Sequence, residues 1–310
     1  MRILVVGAGG VGGYFGGRLI EAGADVTFLV RPRRAAQLAQ HGLVVTSPHG
    51  DIRRPVPHVT ADALTPDYDL ILLTTKDYQL SGAMDDIAPA MARPGVAVIP
   101  VLNGLSHIDR LDARFGREKV MGGLARISGT VTPDGEVRQL TDVHAIVFGP
   151  RDPAQEAAAA EFGHILARAR VDSTHTADIE QAMWDKFLML STLAAGTTLF
   201  RATIGQISRT DEGAAILSEL LDEAAAVAGA NAHPPAPDYL EAVRTAMTDP
   251  TSPMTASMLR DLESGNEIEA EHIVGDMYRR GRRAGLALPL FRVARTHLQA
   301  HILRQQEARG

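Results

Sequence analysis

The sequence predicts an α/β domain built on a doubly wound parallel sheet, followed by an all-α helical domain. Three observations carry this. Short apolar, β-rich runs alternate with helical stretches from residue 1 to about 150, a glycine-rich turn follows the first run, and strand signals stop after Arg170-Val171-Asp172. Such alternation builds a parallel sheet with helices on both faces, and the unbroken helical periodicity that follows builds a separate helical layer. The boundary is expected near Thr174, giving domains of residues 1–174 and 175–310, and a length of 310 residues suits two domains.

The elements follow in order. Ile3 to Val6 is the first strand, Gly10 to Ala22 the first helix and Val26 to Val30 the second strand. Leu70 to Thr74 and Val96 to Ile99 are further strands, with a helix over Gln79 to Met91 between them. Turn residues crowd together in Thr132-Pro133-Asp134-Gly135, so Arg126 to Val131, Val137 to Leu140 and His144 to Phe148 are expected as an antiparallel addition to the sheet. From Ala177 onward helices are expected over Ile179 to Leu193, Gly213 to Ala230, Tyr239 to Met247 and Ile268 to Ala284. The Pro234-Pro235-Ala236-Pro237 and Pro250-Thr251-Ser252-Pro253 clusters read as loops between helices.

Composition removes several classes of chemistry. The chain has no cysteine, so thiolate nucleophiles, disulfides, iron–sulfur clusters and cysteine-ligated zinc are excluded. A net charge of −6 argues against broad nucleic-acid binding while leaving room for a local basic pocket. The longest uncharged apolar-rich segment, Phe187 to Phe200, has 14 residues, short of the roughly 20 that span a bilayer. The expectation is a soluble, cytoplasmic protein with no membrane partner.

Seven of the 29 glycines fall between Gly7 and Gly17, and this concentration reads as one phosphate loop. Gly7-Ala8-Gly9-Gly10-Val11-Gly12 follows a strand and opens a helix, the context that gives a G-x-G-x-x-G its value. Gly7 permits the tight turn, Gly9 lets backbone approach a pyrophosphate, and Gly12 allows close helix–strand packing, as in a Rossmann-type sheet. The helix dipole and first-turn amides favour the phosphate charge. At the end of the second strand, where an acidic residue would accept from the ribose of NAD, the chain has Val30-Arg31-Pro32-Arg33-Arg34. Arginine suits a phosphate, so NADPH/NADP is the expected cofactor, read by Arg31. Lys76 ends the strand that begins at Leu70 and is placed to reach the same phosphate, whereas Arg33 and Arg34 are equally well explained as a solvated turn.

A nicotinamide carries hydride, so the protein must provide orientation and a proton source. With cysteine absent the candidates are Lys, His, Tyr or a carboxylate. Lys186, in Met183-Trp184-Asp185-Lys186-Phe187, stands out at the head of the uncharged run, although a lysine near a helix start is by itself more often a snorkelling surface residue. Together the N-terminal GxGxxG, the Leu102-Asn103-Gly104 turn, Trp184-x-Lys186, and Ser257-Met258-Leu259-x-Asp261 followed by Glu269 and Gly275 resemble the ketopantoate reductase (2-dehydropantoate 2-reductase) family over nearly the whole chain. The resemblance implies a Rossmann domain followed by a helical domain, with the active site in the cleft between them. It implies NADPH-dependent reduction of a 2-oxo acid to a 2-hydroxy acid, in the family's case ketopantoate to pantoate on the route to pantothenate and coenzyme A. By the same resemblance Lys186 is the catalytic lysine, and Glu269 the active-site glutamate, with Glu267 and Glu271 as neighbouring alternatives. Asn103 is then expected to bridge nicotinamide and substrate, Ser257 to hold the substrate carboxylate, and Arg31, Lys76 and Gln79 to serve the cofactor.

The chain also departs from that pattern. Family members carry asparagines four and eight residues after the lysine, on the same helix face, where this chain has Leu190 and Ala194. Either Ser191, Thr192, Thr197 or Thr198 takes over those contacts, or the substrate is less polar on that side. The alternatives to ketopantoate reduction are therefore an NADP enzyme acting on another ketone or hydroxy acid, and a non-catalytic NADPH sensor. His297 and His301 have i, i+4 spacing in surface-like sequence without a third ligand, and Glu269-Ala270-Glu271-His272 is a single Glu-x-x-His, so no metal is expected. Apolar helix faces such as Ile216 to Val227 could pack within the subunit or across a homodimer.

Overall fold

The structure, a computed structural model, describes residues 1–308. The chain divides into two compact units: Met1–Leu102 with His107–Ile179, and the helical stretch from Glu180 together with the short segment Asn103–Ser106.

The first unit and its connections comprise β1 (Arg2–Val6), α1 (Gly10–Glu21), β2 (Asp25–Leu29), α2 (Pro32–His41), β3 (Leu43–Thr46), β4 (Ile52–Arg54), β5 (His58–Val59) and β6 (Leu70–Leu73). There follow α3 (Leu80–Met91), β7 (Ala97–Pro100), α4 (Ser106–Phe115), β8 (Gly122–Val131), β9 (Val137–Gly149), α5 (Glu156–Leu166) and β10 (Asp172–His175). Five strands form a parallel sheet in the order β5-β2-β1-β6-β7. Residues 3–6 of β1 and all of β6 and β7 are buried, which is why these strands read as continuous apolar runs. The order reverses at β1, so the turn after β1 lies at the switch point where open α/β sheets bind ligands.

The expected antiparallel addition is corrected. β8 and β9 do form a hairpin, but they belong to a second sheet, ordered β10-β9-β3-β4 with β8 on the other strand-pairing of β9. Within it β9 pairs in parallel with β3 and β10. Val137 to Leu140 and His144 to Phe148 are one strand, because Thr141-Asp142-Val143 stays extended between them despite an aspartate of low β propensity. β3, β4 and β5 escaped the sequence reading because they are two to four residues long.

Helix α1 packs against strands of both sheets, and this changes the meaning of its glycines. A Cβ at Gly16 would meet the Phe28 ring at 2.5 Å, one at Gly10 the Gly129 carbonyl at 2.7 Å, and one at Gly13 or Gly17 the side chains of Val137 or Ile52 within 2.9 Å. These four glycines let two sheets close on one helix, so a phosphate loop alone does not account for the concentration of seven.

The second unit is all helix: α6 (Ile179–Phe200), α7 (Ile204–Ser208), α8 (Gly213–Ala230), α9 (Pro237–Thr248), α10 (Ser257–Glu263), α11 (Val274–Arg283) and α12 (Pro289–Glu307). Residues 191–198 of α6 are buried all round, so it shows almost no polar face. Its first turns are anchored by Trp184, which stacks on His233 and lies 5.6 Å under the Arg280 guanidinium. The helix expected from Ile268 begins only at Val274. Ile268, Ala270 and Ile273 are buried, but Ile268 lies in irregular chain and the other two in turns, with the Ala270 carbonyl accepting from Gly275 N–H at 2.9 Å. His297 and His301 are also corrected: His301 is buried, and the Nε2 atoms of both are sequestered from solvent, so this face of α12 is interior. Burial, with the cations Arg201 and Arg304 nearby, pushes both imidazoles below the usual histidine range. Among the described residues, no helix is long and apolar enough to cross a membrane.

Candidate functional site

Two clusters stand out, one in each unit. In the first, a cavity of about 250 Å³ is lined by the Val6–Gly9 turn, Val30, Arg31, Arg34, Thr75, Gln79 and Val131, among others. Gly7 adopts φ 96°, which carries the chain from β1 into the turn, and its N–H donates to the Leu29 carbonyl at 2.9 Å. Gly12 touches the turn from inside α1: a Cβ there would come within 2.2 Å of the Gly7 carbonyl and 2.3 Å of Thr74 Oγ1. Gly9 by contrast faces open space. α1 has no acidic residue in its first turn and no side-chain cap at Gly9, so the positive end of its dipole is left to a ligand.

Arg31 and Gln79 line this cavity, and Lys76 does not. Lys76 is exposed, with its ammonium 5.9 Å from the centre of the Tyr78 ring. Arg34, which the sequence left undecided, is built into the site. Its Nε donates to the Ala8 carbonyl at 3.1 Å and its Nη1 to the Gly135 carbonyl at 2.6 Å, tying the glycine turn to the β8–β9 turn. Burial lowers the pKa of this guanidinium. Its position three residues after Arg31, on the same face of α2, was the available signal. Arg34 Nη2 and Thr75 Oγ1 are buried without a hydrogen-bond partner among the described residues. A glycine cradle at a helix N-terminus, with cationic and hydroxyl donors beside it, fits a dinucleotide.

In the second unit Lys186 Nζ donates to Asn103 Oδ1 at 3.0 Å, joining α6 to the segment that follows β7. Gly104 adopts φ 79° and a Cβ there would lie 3.0 Å from His272 Nε2. Ser106 Oγ is 2.6 Å from His272 Nδ1, and His272 Nε2 hydrogen-bonds the Asn103 carbonyl. Glu269 is half-buried in the irregular stretch before α11, and Glu267 is exposed. Glu271 is committed elsewhere: it accepts from Arg295 at 3.0 Å and Gln299 at 2.8 Å, and pairs with Arg279. Burial alone would raise its pKa, but these donors outweigh that and hold the carboxyl below the usual range. Ser257 is the exposed first residue of α10.

The hydroxyls offered as replacements for the missing asparagines are spoken for. Ser191 and Thr192 donate to the Leu188 carbonyl, Thr197 to Leu193 and Thr198 to Ala194, all within 3.1 Å. Thr197 Oγ1 also accepts from Ala256 N–H at 3.3 Å, fixing the start of α10. All four residues are fully buried, as is Ala194. They satisfy the helix from within.

The ketopantoate reductase PanE/ApbA family matches residues 3–153, and the C-terminal domain of the same family matches residues 178–301. The chain belongs to the ketopantoate reductase family. It is 34% identical over 301 residues to the "Uncharacterized oxidoreductase YkpB" of Bacillus subtilis (strain 168), covering 97% of this chain and 99% of that protein. It is 27% identical to the 2-dehydropantoate 2-reductase of Halobacterium salinarum, over 94% of this chain and 96% of the relative. The solved 2-dehydropantoate 2-reductase from Geobacter metallireducens GS-15 superposes with a TM-score of 0.86 at 28% identity, covering 97% and 99% of the two chains. The ketopantoate reductase family is one of oxidoreductases using a nicotinamide dinucleotide, and this chain is such an enzyme, which disposes of the sensor reading.

Proposed function

We propose that this enzyme uses NADPH to reduce a 2-oxo acid to a 2-hydroxy acid, with 2-dehydropantoate as the first substrate to test. The observation that carries the reading is the 3.0 Å contact between Lys186 Nζ and Asn103 Oδ1. This contact places the ammonium beside the Asn103 amide, the group expected to meet nicotinamide and substrate, where a cation can donate to a substrate oxygen. In this reading residues 1–174 hold the cofactor and residues 175–310 supply the substrate groups. Gly7, Ala8, Gly9, Gly10, Val11 and Gly12 seat the pyrophosphate, Gln79 and Asn103 contact the cofactor, and Arg31 binds the 2′-phosphate. Arg34 serves by holding the turn, since two of its donors are already committed. Lys76 is the less well supported of the two cations, because it lies outside the cavity lining.

The bound nicotinamide supplies hydride to the carbonyl carbon. Lys186 donates a hydrogen bond and then a proton to the carbonyl oxygen, Asn103 orients the ammonium, Glu269 keeps the lysine or substrate aligned, and Ser257 receives the carboxylate. Such a proton donor contributes about 10²–10⁴ in rate. We place the reaction in the cytoplasm.

A second reading has its own support. Leu190 lies one turn beyond Lys186, and the four nearby hydroxyls bond back to α6. This favours a 2-oxo acid whose side chain is less polar than that of ketopantoate. A panel of 2-oxo acids assayed by NADPH oxidation separates the two, with kcat/KM highest for ketopantoate in the first case and for an apolar analogue in the second. Absence of turnover across the panel would reject both.

A further inference from the structure

His272 entered the sequence reading only as the last residue of a Glu-x-x-His spacing, yet it is 3% exposed and touches both ends of the Asn103–Ser106 segment. A backbone carbonyl only accepts, so the Nε2 facing the Asn103 carbonyl carries the proton. With the proton on Nε2, Nδ1 is placed to accept from the Ser106 hydroxyl, whose Oγ lies 2.6 Å away. Gly104 lies between these anchors at φ 79°, so close that a Cβ would come within 3.0 Å of the ring nitrogen. The imidazole therefore fills the inner side of a four-residue turn and clasps it at both ends. The side chain of Asn103, on that turn, accepts from Lys186 at 3.0 Å.

We infer that His272 is a positioning residue: it fixes the Asn103–Ser106 turn, and through Asn103 sets where the Lys186 ammonium points. The inference deepens the proposed role of Lys186 and rests on it. The requirement is a planar group with a donor toward one partner and an acceptor toward the other. A glutamine carboxamide meets that requirement in part, whereas phenylalanine fills the space and meets none of it.

The test compares His272→Phe with His272→Gln, reading kcat and KM for the best 2-oxo acid, NADPH affinity by fluorescence titration, and the Nζ resonance of Lys186. The chain has only three lysines, Lys76, Lys119 and Lys186, so Lys186→Arg assigns the signal. Expected for His272→Phe is a fall in kcat of about 100-fold, the scale of a 1 Å misplacement. KM should change much less, NADPH affinity should hold, and the Lys186 resonance should move. His272→Gln should recover at least about tenfold of that loss. Wild-type kcat with an unmoved resonance in His272→Phe would overturn the inference. So would equal loss in both variants when both melt near the wild type. Should His272→Phe fail to fold, Ser106→Ala removes one anchor and should move the Lys186 signal with a smaller fall in kcat; no change in either overturns the proposal. The resonance needs no substrate, so it still reports on His272 if no 2-oxo acid is turned over and the reading of Lys186 falls.

Discussion

Two turns follow strands of the same parallel sheet and are built in opposite ways. The turn after β1 is made of backbone: Gly7 bends it, Gly12 admits α1 against it, and little but main chain is presented to the cavity. The turn after β7 is made of side chains: Asn103 meets Lys186, and His272 holds both ends. Backbone amides at a helix start suit a phosphate of any dinucleotide. Directed side chains suit one reacting oxygen, whose position must be set to a fraction of an ångström. Removing a side chain should therefore be felt in chemistry at the second turn and in binding at the first.

The largest effect expected is that of Lys186→Ala. Its kcat should fall by about 10²–10⁴ while NADPH titration shows unchanged affinity, and an equal loss in binding would erase the distinction between the two turns. Next comes the contrast between two arginines of the first turn. Arg31→Ala should weaken NADPH by roughly 10–100-fold, the scale of lost charged hydrogen bonds, and leave NADH nearly unaffected. Arg34→Ala should weaken both cofactors alike, because Arg34 holds the turn through the Ala8 and Gly135 carbonyls. Equal losses in Arg31→Ala, measured by the same titrations, would remove the 2′-phosphate assignment.

Leu190→Asn should shift the ratio of kcat/KM toward ketopantoate over an apolar 2-oxo acid by about tenfold, and no shift would place substrate selection elsewhere. The smallest effect concerns Glu271. Its folded pKa is depressed, so its stabilising contribution is complete above the ordinary glutamate value of about 4.3 and is lost as pH falls through the lower folded value. With its side chain 40% exposed, the solvent-screened contribution is below about 1 kcal/mol. Urea unfolding of Glu271→Gln should show that small loss at pH 7 and none under strong acid. Its kcat should stay at the wild-type value, whereas that of Glu269→Gln should fall.

The first turn was legible because its signal is local. A strand, a G-x-G-x-x-G and a helix are contiguous, and Arg31 stands at the next strand end. The same locality misled in one respect: Gly13, Gly16 and Gly17 continue the glycine run in sequence but face two sheets. The second turn was legible only through the resemblance that linked Asn103 to Lys186 across 83 positions. Nothing local marked His272, because a histidine near two glutamates reads equally as surface or metal ligand, and its partners lie 166 and 169 positions earlier. That Ser191, Thr192, Thr197 and Thr198 are turned back on their own helix is not legible in sequence, since a sequence does not say whether a helix is buried on every side.

The sequence by itself determined the parallel sheet, the glycine turn after its first strand and the helical second half, because strand alternation, glycine spacing and helical period act over a few residues. Only the tertiary structure decided that the β8–β9 hairpin builds a second sheet, that Arg34 ties the glycine turn to the β8–β9 turn and that Glu271 is an ion-pair hub. It also decided that His272 clasps the turn beside Lys186. Each of those depends on which groups distant in sequence meet in space, and close packing is a property of the whole fold.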